Sequence, residues 1–245
     1  MIQRQTTGSN VVSMPKRSCW NCQSPIGHGE TFCKSCSKIQ PFTEDTDYFT
    51  CLGSERFLQI DLKELEKRFY RLSRQFHPDF HYVKDETEKN ISLENSALLN
   101  KAYRTLKDPF LRAEYLIHLE EGRKNNIAAK VPQEFLEEIF GLQETVDEFR
   151  STSDPEIMEK LRVRLQEALK VLEERQSDEE KRLFEFFGHW DKVYGHANRL
   201  ANKQEGRALI HEMRDILSYR TYLRNMIQDI QDLLKGHTKR REVRH

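Results

Sequence analysis

Four of the five cysteines in this 245-residue chain fall into two pairs, Cys19 with Cys22 and Cys33 with Cys36, a C-x2-C spacing repeated across a ten-residue gap. Two-residue spacing turns both thiolates of a pair toward one ion, and two such pairs close a tetrahedral four-sulfur shell, the usual arrangement for structural zinc. Gly27 and Gly29 lie in the gap, where a tight reversal returns the second pair to the first. An ion held by four thiolates carries a net charge of about minus two, which Arg17, Lys34 and Lys38 are placed to offset in part. A full shell has no open position, so the centre is read as structural rather than catalytic. Thiolate-bound iron, two disulfides or four free thiols are the competing readings. His28 is read as a surface residue, because four cysteines already complete the shell. Cys51 stands apart beside Phe49 and Leu52 with no neighbouring histidine to activate it, and is read as a small packed residue.

The second constellation is His77-Pro78-Asp79. Pro78 lacks an amide proton and biases His77 away from helical dihedrals, so a helix should stop here and a loop should hold His77 near Asp79. Neither serine nor cysteine stands where it would complete a hydrolytic triad. A Gly-rich, Lys-containing phosphate loop is also missing from the sequence, so an ATPase reading has no mechanism. The chain is read as a non-enzyme.

The elements that must position these residues are helical. Asp47-Tyr48-Phe49-Thr50-Cys51-Leu52-Gly53 predicts a short helix ended by glycine. Asp61 followed by Glu64 resembles a capping box, and Leu65, Phe69, Leu72 and Phe76 then form one apolar stripe. On the polar side, Lys63, Lys67, Arg71 and Arg74 form a positive stripe, which is either a solvated face or a docking surface. A second long helix is predicted from about Thr87 to Leu106, with Leu99, Ala102, Tyr103 and Leu106 facing the first and a break at Pro109. The two helices are expected to run antiparallel, with His77-Pro78-Asp79 at their tip.

Gly122 to Pro132, containing Asn125 and Asn126, reads as a connector. Beyond it, Phe135, Ile139, Leu142, Val146 and Phe149 mark a helix with a buried stripe. Ser153 or Asp154 caps the next, with Pro155 in its first turn and Ile157, Leu161, Leu165, Ala168 and Leu172 on its apolar side. A further run spans about Asp178 to Ala201, and Leu209, Met213, Ile216, Leu217, Leu223, Met226, Ile230 and Leu233 read as a final long helix. Gly188, Gly195 and Gly206 are candidate interruptions, and Phe186, Phe187 and Trp190 are read as packed internally. The economical solution is an antiparallel three- or four-helix bundle in an all-α protein. The helix from Gln133 to Arg150 is strongly acidic, and Leu136 and Phe140 lie off its core stripe, as wider-face packing or as a binding patch.

Lys plus Arg is 40 and Asp plus Glu is 40, so no global charge draws the chain to nucleic acid or to a membrane surface. No window approaches the roughly 18 apolar residues of a membrane span, and the start lacks a secretory hydrophobic stretch, favouring a soluble, reducing compartment. Arg4, Lys16 and Arg17 precede any acidic residue, as in the remnant of an organellar targeting segment or in an ordinary polar start.

The tripeptide in this setting resembles the signature of J-domain proteins. The wider pattern of Asp47-Tyr48-Phe49, Arg74-Gln75-Phe76-His77-Pro78-Asp79, Leu99-Asn100-Lys101-Ala102-Tyr103-Arg104-Thr105-Leu106 and Arg112-Ala113-Glu114-Tyr115-Leu116 resembles the HscB type, the co-chaperones of iron–sulfur cluster assembly. The front cysteine pairs are similar to those of its animal members. The resemblance covers about Cys19 to Leu234, more strongly in the first half. It implies that His77, Pro78 and Asp79 activate ATP hydrolysis by a mitochondrial DnaK-class chaperone, with Lys63, Lys67, Arg71 and Arg74 as the docking face. It also implies that the bundle holds an iron–sulfur cluster scaffold protein through Leu136, Phe140 and Glu144, with Tyr222 on the last helix. Glu137 departs from the family pattern, where many members have methionine, and removes one apolar contact. Cluster-recipient proteins are implied as further partners, and the mitochondrial matrix as the location, with a cytosolic form as the alternative.

The organisation expected is a flexible start over 1–18, a zinc module over 19–40, a J domain over 47–121, a connector over 122–131, a scaffold-binding bundle over 132–235 and a basic tail over 236–245. Two other classes compete. A zinc-containing nucleic-acid adaptor fits the cysteines and basic ends, but the neutral charge and acidic helix oppose it. A zinc-stabilised hydrolase lacks both an open metal position and a nucleophile–base pair.

Overall fold

The computed structural model describes residues 17–27, 29–81, 85–122, 127–194 and 203–242. Arg4, Lys16, His28, Asn125, Asn126, Gly195 and Ala201 lie outside the described residues, as do the side chains of the basic tail beyond Gly236. The described chain forms two compact units. One holds the residues up to Glu55 together with Asp61–Lys107, and the other holds Arg56–Ile60 and the residues from Asp108 on.

The first unit begins with two very short antiparallel strands, β1 (Arg17–Ser18) and β2 (Pro25–Ile26), with Arg17 opposite Ile26. Helix α1 (Tyr48–Cys51) is capped by Asp47, whose carboxylate accepts the Thr50 amide at 2.8 Å. Gly53 follows at φ 65°, a left-handed conformation that glycine adopts without a Cβ penalty. Helix α2 (Leu62–Phe76) is capped by Asp61, which accepts the amides of Lys63 and Glu64. Glu64 turns outward to Arg68 at 3.2 Å.

Helix α4 (Glu86–Lys107) runs antiparallel to α2, as the cross-contacts show. Tyr103 stacks on Phe69 at 4.2 Å and donates to Glu66, whereas Ser92 and Ser96, more than a turn earlier, reach Phe76 at the far end of α2. Between them lies α3 (Pro78–His81). The loop expected at His77-Pro78-Asp79 is therefore one turn-forming residue, His77 at φ −60° and ψ 128°, followed by a short helix that Pro78 opens. Proline ends one helix and is also suited to begin the next, because the missing amide proton is unused in a first turn.

In the second unit, α5 (Pro109–Glu121) starts from an Asp108 cap and ends at Gly122 at φ 66°. A single 3-10 turn (Gln133–Phe135) leads into α6 (Leu136–Ser151). Helices α7 (Pro155–Tyr194) and α8 (Lys203–Glu242) each extend for 40 residues. They are antiparallel: Glu173 accepts from Gln231, and Glu180, further along α7, accepts from Arg220, earlier in α8. The two separate helices expected over 157–172 and from Asp178 are thus one. Gly188 is carried inside it and Gly206 lies in the first turn of α8. The stretch between the two expected helices is rich in strong helix formers and bridged by Gln176 to Glu180, Lys181 to Asp178 and Arg182 to Glu179, so nothing there stops propagation.

The core of this unit joins Ile139, Val146 and Phe149 of α6 with Leu161, Leu165 and Leu172 of α7 and Tyr219, Leu223, Met226 and Ile230 of α8. Helix α5 packs on α8. Arg56–Ile60 is pinned to α7: the Leu58 and Gln59 amides donate to the two carboxylate oxygens of Asp191, both at 2.7 Å, and the Trp190 indole donates to the Arg56 carbonyl.

Candidate metal centre, interhelical turn and bundle patch

The four cysteines are brought together by two copies of one backbone motif. In the first, the Cys19 amide donates to the Ser24 carbonyl, the Gln23 amide donates back to Cys19, and Gln23 takes φ 61°. In the second, the Cys33 amide donates to Lys38, the Ser37 amide donates back to Cys33, and Ser37 takes φ 58°. Each hairpin therefore presents its two sulfurs inward. Cys19 and Cys36 face each other at 3.6 Å, as do Cys22 and Cys33, and all four sulfurs lie within 4.8 Å of one another. A tetrahedral ion with bonds of about 2.3 Å has sulfur–sulfur edges of about 3.8 Å, so the cage fits one such ion. A disulfide needs about 2.05 Å, a separation that neither of these sulfur pairs has.

The hydrogen-bond field favours thiolate at Cys19 and Cys22 but not throughout the cage: at Cys36 the Lys38 backbone bond is outweighed by burial and the neighbouring Cys22 and Cys19 thiols, which raise its thiol to about 11. The Gln40 amide, buried on the inner side, donates to Cys19 Sγ at 3.3 Å, and the Asn21 amide reaches the same sulfur at 3.4 Å. Burial raises the Cys19 thiol, but the backbone and thiol hydrogen bonds around it outweigh that effect and bring it down to about 6. Each of the three cations expected to offset the cage charge has another partner. Lys34 pairs with Glu30, the Arg17 guanidinium donates to the Pro41 carbonyl, and Lys38 bridges to Glu88 of α4 at 2.5 Å and to Asp85, just before it, at 3.3 Å. Cys51 is buried, and burial followed by the nearby Asp47 charge pushes its thiol up to about 12, so it is a packed residue and a poor nucleophile.

His77 follows directly on Phe76, which is fully buried. The Asp79 amide donates to His77 Nδ1 at 3.3 Å. Asp79 also places a carboxylate oxygen 3.6 Å from the same nitrogen and is itself strongly exposed. Lys63, Lys67, Arg71 and Arg74 are all exposed along α2, and among the described residues none has an ion-pair partner. The positive stripe thus runs along the helix that ends at the turn.

On α6, Leu136 is 36% exposed and Phe140 59%, while Ile139, next to Phe140 in the chain, is buried. Glu137 and Glu144 are exposed as well. Tyr222 is half-buried, packed on the bundle core with its hydroxyl inward beside Gln143 of α6, and burial pushes its phenol up. The patch residues therefore occupy neighbouring helices of one unit, with Tyr222 offering only part of its ring.

Sequence reasoning did not single out Phe32, Phe42, Gln40, Asn95 or Glu88, although they join the cysteine module to the end of α2 and to α4. Phe32 and Phe42 lie 6.0 and 5.5 Å from the Phe76 ring, and Asn95 pairs with the backbone of both Gln40 and Phe42. A buried Asn and a buried Glu in an otherwise amphipathic helix were the available signal.

The class of protein follows from the turn between α2 and α4: the DnaJ domain family matches residues 47–115. A mouse protein described as iron-sulfur cluster co-chaperone protein HscB is 34% identical over 168 residues, covering 64% of this chain and 70% of the mouse protein. An Arabidopsis thaliana HscB homolog is 32% identical over 164 residues, covering 67% of this chain and 63% of its own length. The crystal structure of the human co-chaperone HscB superposes with a TM-score of 0.59 at 25% identity, covering 88% of this chain and 97% of that one. The chain belongs to the HscB family of iron–sulfur cluster co-chaperones.

Proposed function

We propose that this co-chaperone holds an iron–sulfur cluster scaffold protein on its helical bundle, presents it to a DnaK-class chaperone, and stimulates that partner's ATP hydrolysis so that the cluster is passed on to recipient proteins. The observation that carries the reading is His77-Pro78-Asp79 at the end of a helix whose exposed side is a positive stripe without an ion-pair partner among the described residues. Lys63, Lys67, Arg71 and Arg74 supply long-range attraction to an acidic partner surface, and the His77 imidazole and the Asp79 carboxylate supply directional polar groups beside it. ATP stays on the partner. Leu136 and Phe140, with Glu144 and the visible part of Tyr222, form the scaffold patch, and holding two partners on one chain raises their effective concentration.

The four-thiolate cage holds structural zinc in this reading. Relatives in animals and a plant, and a basic start, support a mitochondrial matrix location with a cytosolic form as the alternative. No helix among the described residues is long and apolar enough to cross a membrane. The test is ATP turnover by a mitochondrial DnaK-class chaperone with the scaffold, with and without this chain. The intact chain should stimulate turnover and His77→Gln should lose the effect while retaining its fold and scaffold binding. Equal stimulation by both would overturn the assignment of the turn.

A further inference from the structure

The cysteine module does not hang free of the helical hairpin. Its Phe32 stacks on Phe76 with an interplanar angle of 18°, and Phe42 meets the same ring edge-on at 84°. Phe76 is the last residue of α2 and the residue before His77. Lys38, two residues beyond the last cysteine, reaches Asp85 and the fully buried Glu88 in the first turn of α4, close after α3 in the chain. Asn95 ties the exit of the module at Gln40 and Phe42 to the middle of α4. The module thus grips both ends of the segment that carries His77, Pro78 and Asp79.

Almost nothing but the ion can hold that grip. The module's own core is Cys19, Ile26 and Cys33 with Cys36 against it, and its regular structure is two strands of two residues. A segment this small buries too little apolar surface to fold unaided, so metal binding supplies its folding energy. Without the ion, Phe32, Phe42 and Lys38 lose the framework that aims them.

We propose that the four-cysteine module is the brace of the His77-Pro78-Asp79 turn: Phe32, Phe42 and Lys38 are positioning residues, and metal loading sets how firmly the turn is held for the chaperone. This rests on the reading that the turn faces the chaperone. The brace itself requires only that the turn respond to the module.

The experiment uses the full chain loaded with zinc and follows the backbone amide resonances and relaxation of His77 and Asp79. Phe32→Ala, with metal content verified, should shift and broaden both, Phe32→Tyr should restore them, and chelation of the wild type should reproduce Phe32→Ala. Lys38→Met gives the same readout from the other contact. In the chaperone assay, maximal stimulation should fall several-fold in Phe32→Ala at a nearly unchanged half-saturating concentration, because the positive stripe is intact. Turn resonances that stay put in Phe32→Ala, in Lys38→Met and on chelation would overturn the brace, as would an equal shift in Phe32→Tyr. A wild type that fails to stimulate would instead remove the chaperone reading, and the resonances would still decide the brace.

Discussion

The hydroxyl of Ser92 on α4 donates to the carbonyl oxygen of Phe76 at 2.7 Å, and the hydroxyl of Ser96, one turn on, donates to the same oxygen at 2.8 Å. The last carbonyls of a helix have no partner within it, and here Pro78 has no amide proton to offer. Two serines on the neighbouring helix fill both lone pairs. Ser92→Ala with Ser96→Ala leaves a buried acceptor unmatched and should destabilise the first unit by about 1–3 kcal/mol, more than either single change, as read from urea denaturation. Two single changes that each cost as much as the pair would contradict sharing of one acceptor.

Asp85 caps α4 by accepting the Glu88 amide at 2.9 Å. That bond comes first among the causes that hold its carboxyl below the ordinary 3.8, with Lys38 adding to it. A depressed carboxyl contributes stability that is present above its unfolded value and lost as pH falls through the folded one. Thermal unfolding of the wild type and Asp85→Ala should therefore differ at pH 6 and converge below pH about 3. A constant difference down to pH 2 would show that the charge is not what the cap uses.

The metal cage is open to direct measurement. Cobalt in place of zinc should give the intense visible bands of a tetrahedral four-thiolate site at one ion per chain, and Cys22→Ser or Cys33→Ser should abolish them. Two ions per chain, or bands of an octahedral site, would exclude the four-sulfur shell.

Asp191 joins three elements: it accepts the Leu58 and Gln59 amides and faces the buried Arg112, whose guanidinium is lowered by burial against the pull of Asp191 and Asp108. Burial raises the Asp191 carboxyl above its ordinary value despite these partners. Asn at this position can accept from only one of the two amides and leaves Arg112 less compensated, so Asp191→Asn should cost about 1–3 kcal/mol at neutral pH. A raised carboxyl contributes stability that is full below its unfolded value and lost as pH rises through the folded one, so the wild type's advantage over Asp191→Asn should be larger at pH 4 than at pH 7. An advantage that grows with pH would show that the ion pair, rather than desolvation, governs this carboxyl.

The features legible in sequence were those governed by local rules. Cysteine spacing, the Asp61 cap, the Pro78 stop and the heptad-like stripes of α6 and α8 each depend on residues within a turn or two of one another, and each stands where the pattern placed it. What escaped depends on contacts distant in the chain. Phe32 carries no local sign that it will stack on Phe76, 44 positions later, and Asp191 none that it will hold Leu58 and Gln59. The runs read separately over 157–172 and from Asp178 are one helix for the opposite reason: the polar residues between them are strong helix formers, so the helix continues where the apolar pattern pauses. Tyr222 shows the same limit within the site, since only packing decides how much of an aromatic ring remains outside.

Leu136 and Phe140 give the sharpest separation between binding and stability. Both project from α6 away from the core that takes Ile139, Val146 and Phe149. Truncating exposed side chains forfeits little folding energy, so Leu136→Ala with Phe140→Ala should change stability by about 0.5 kcal/mol or less. Phe149→Ala, by contrast, empties a fully buried site and should cost about 3–5 kcal/mol. If the patch meets the scaffold, the double variant should weaken scaffold binding at least about tenfold, since buried apolar anchors at an interface are worth about 1–2 kcal/mol or more each. Chaperone stimulation in the absence of scaffold should be unchanged, because the turn and positive stripe lie in the other unit. Unaltered scaffold affinity in a folded double variant would reject the patch and leave the turn's role intact.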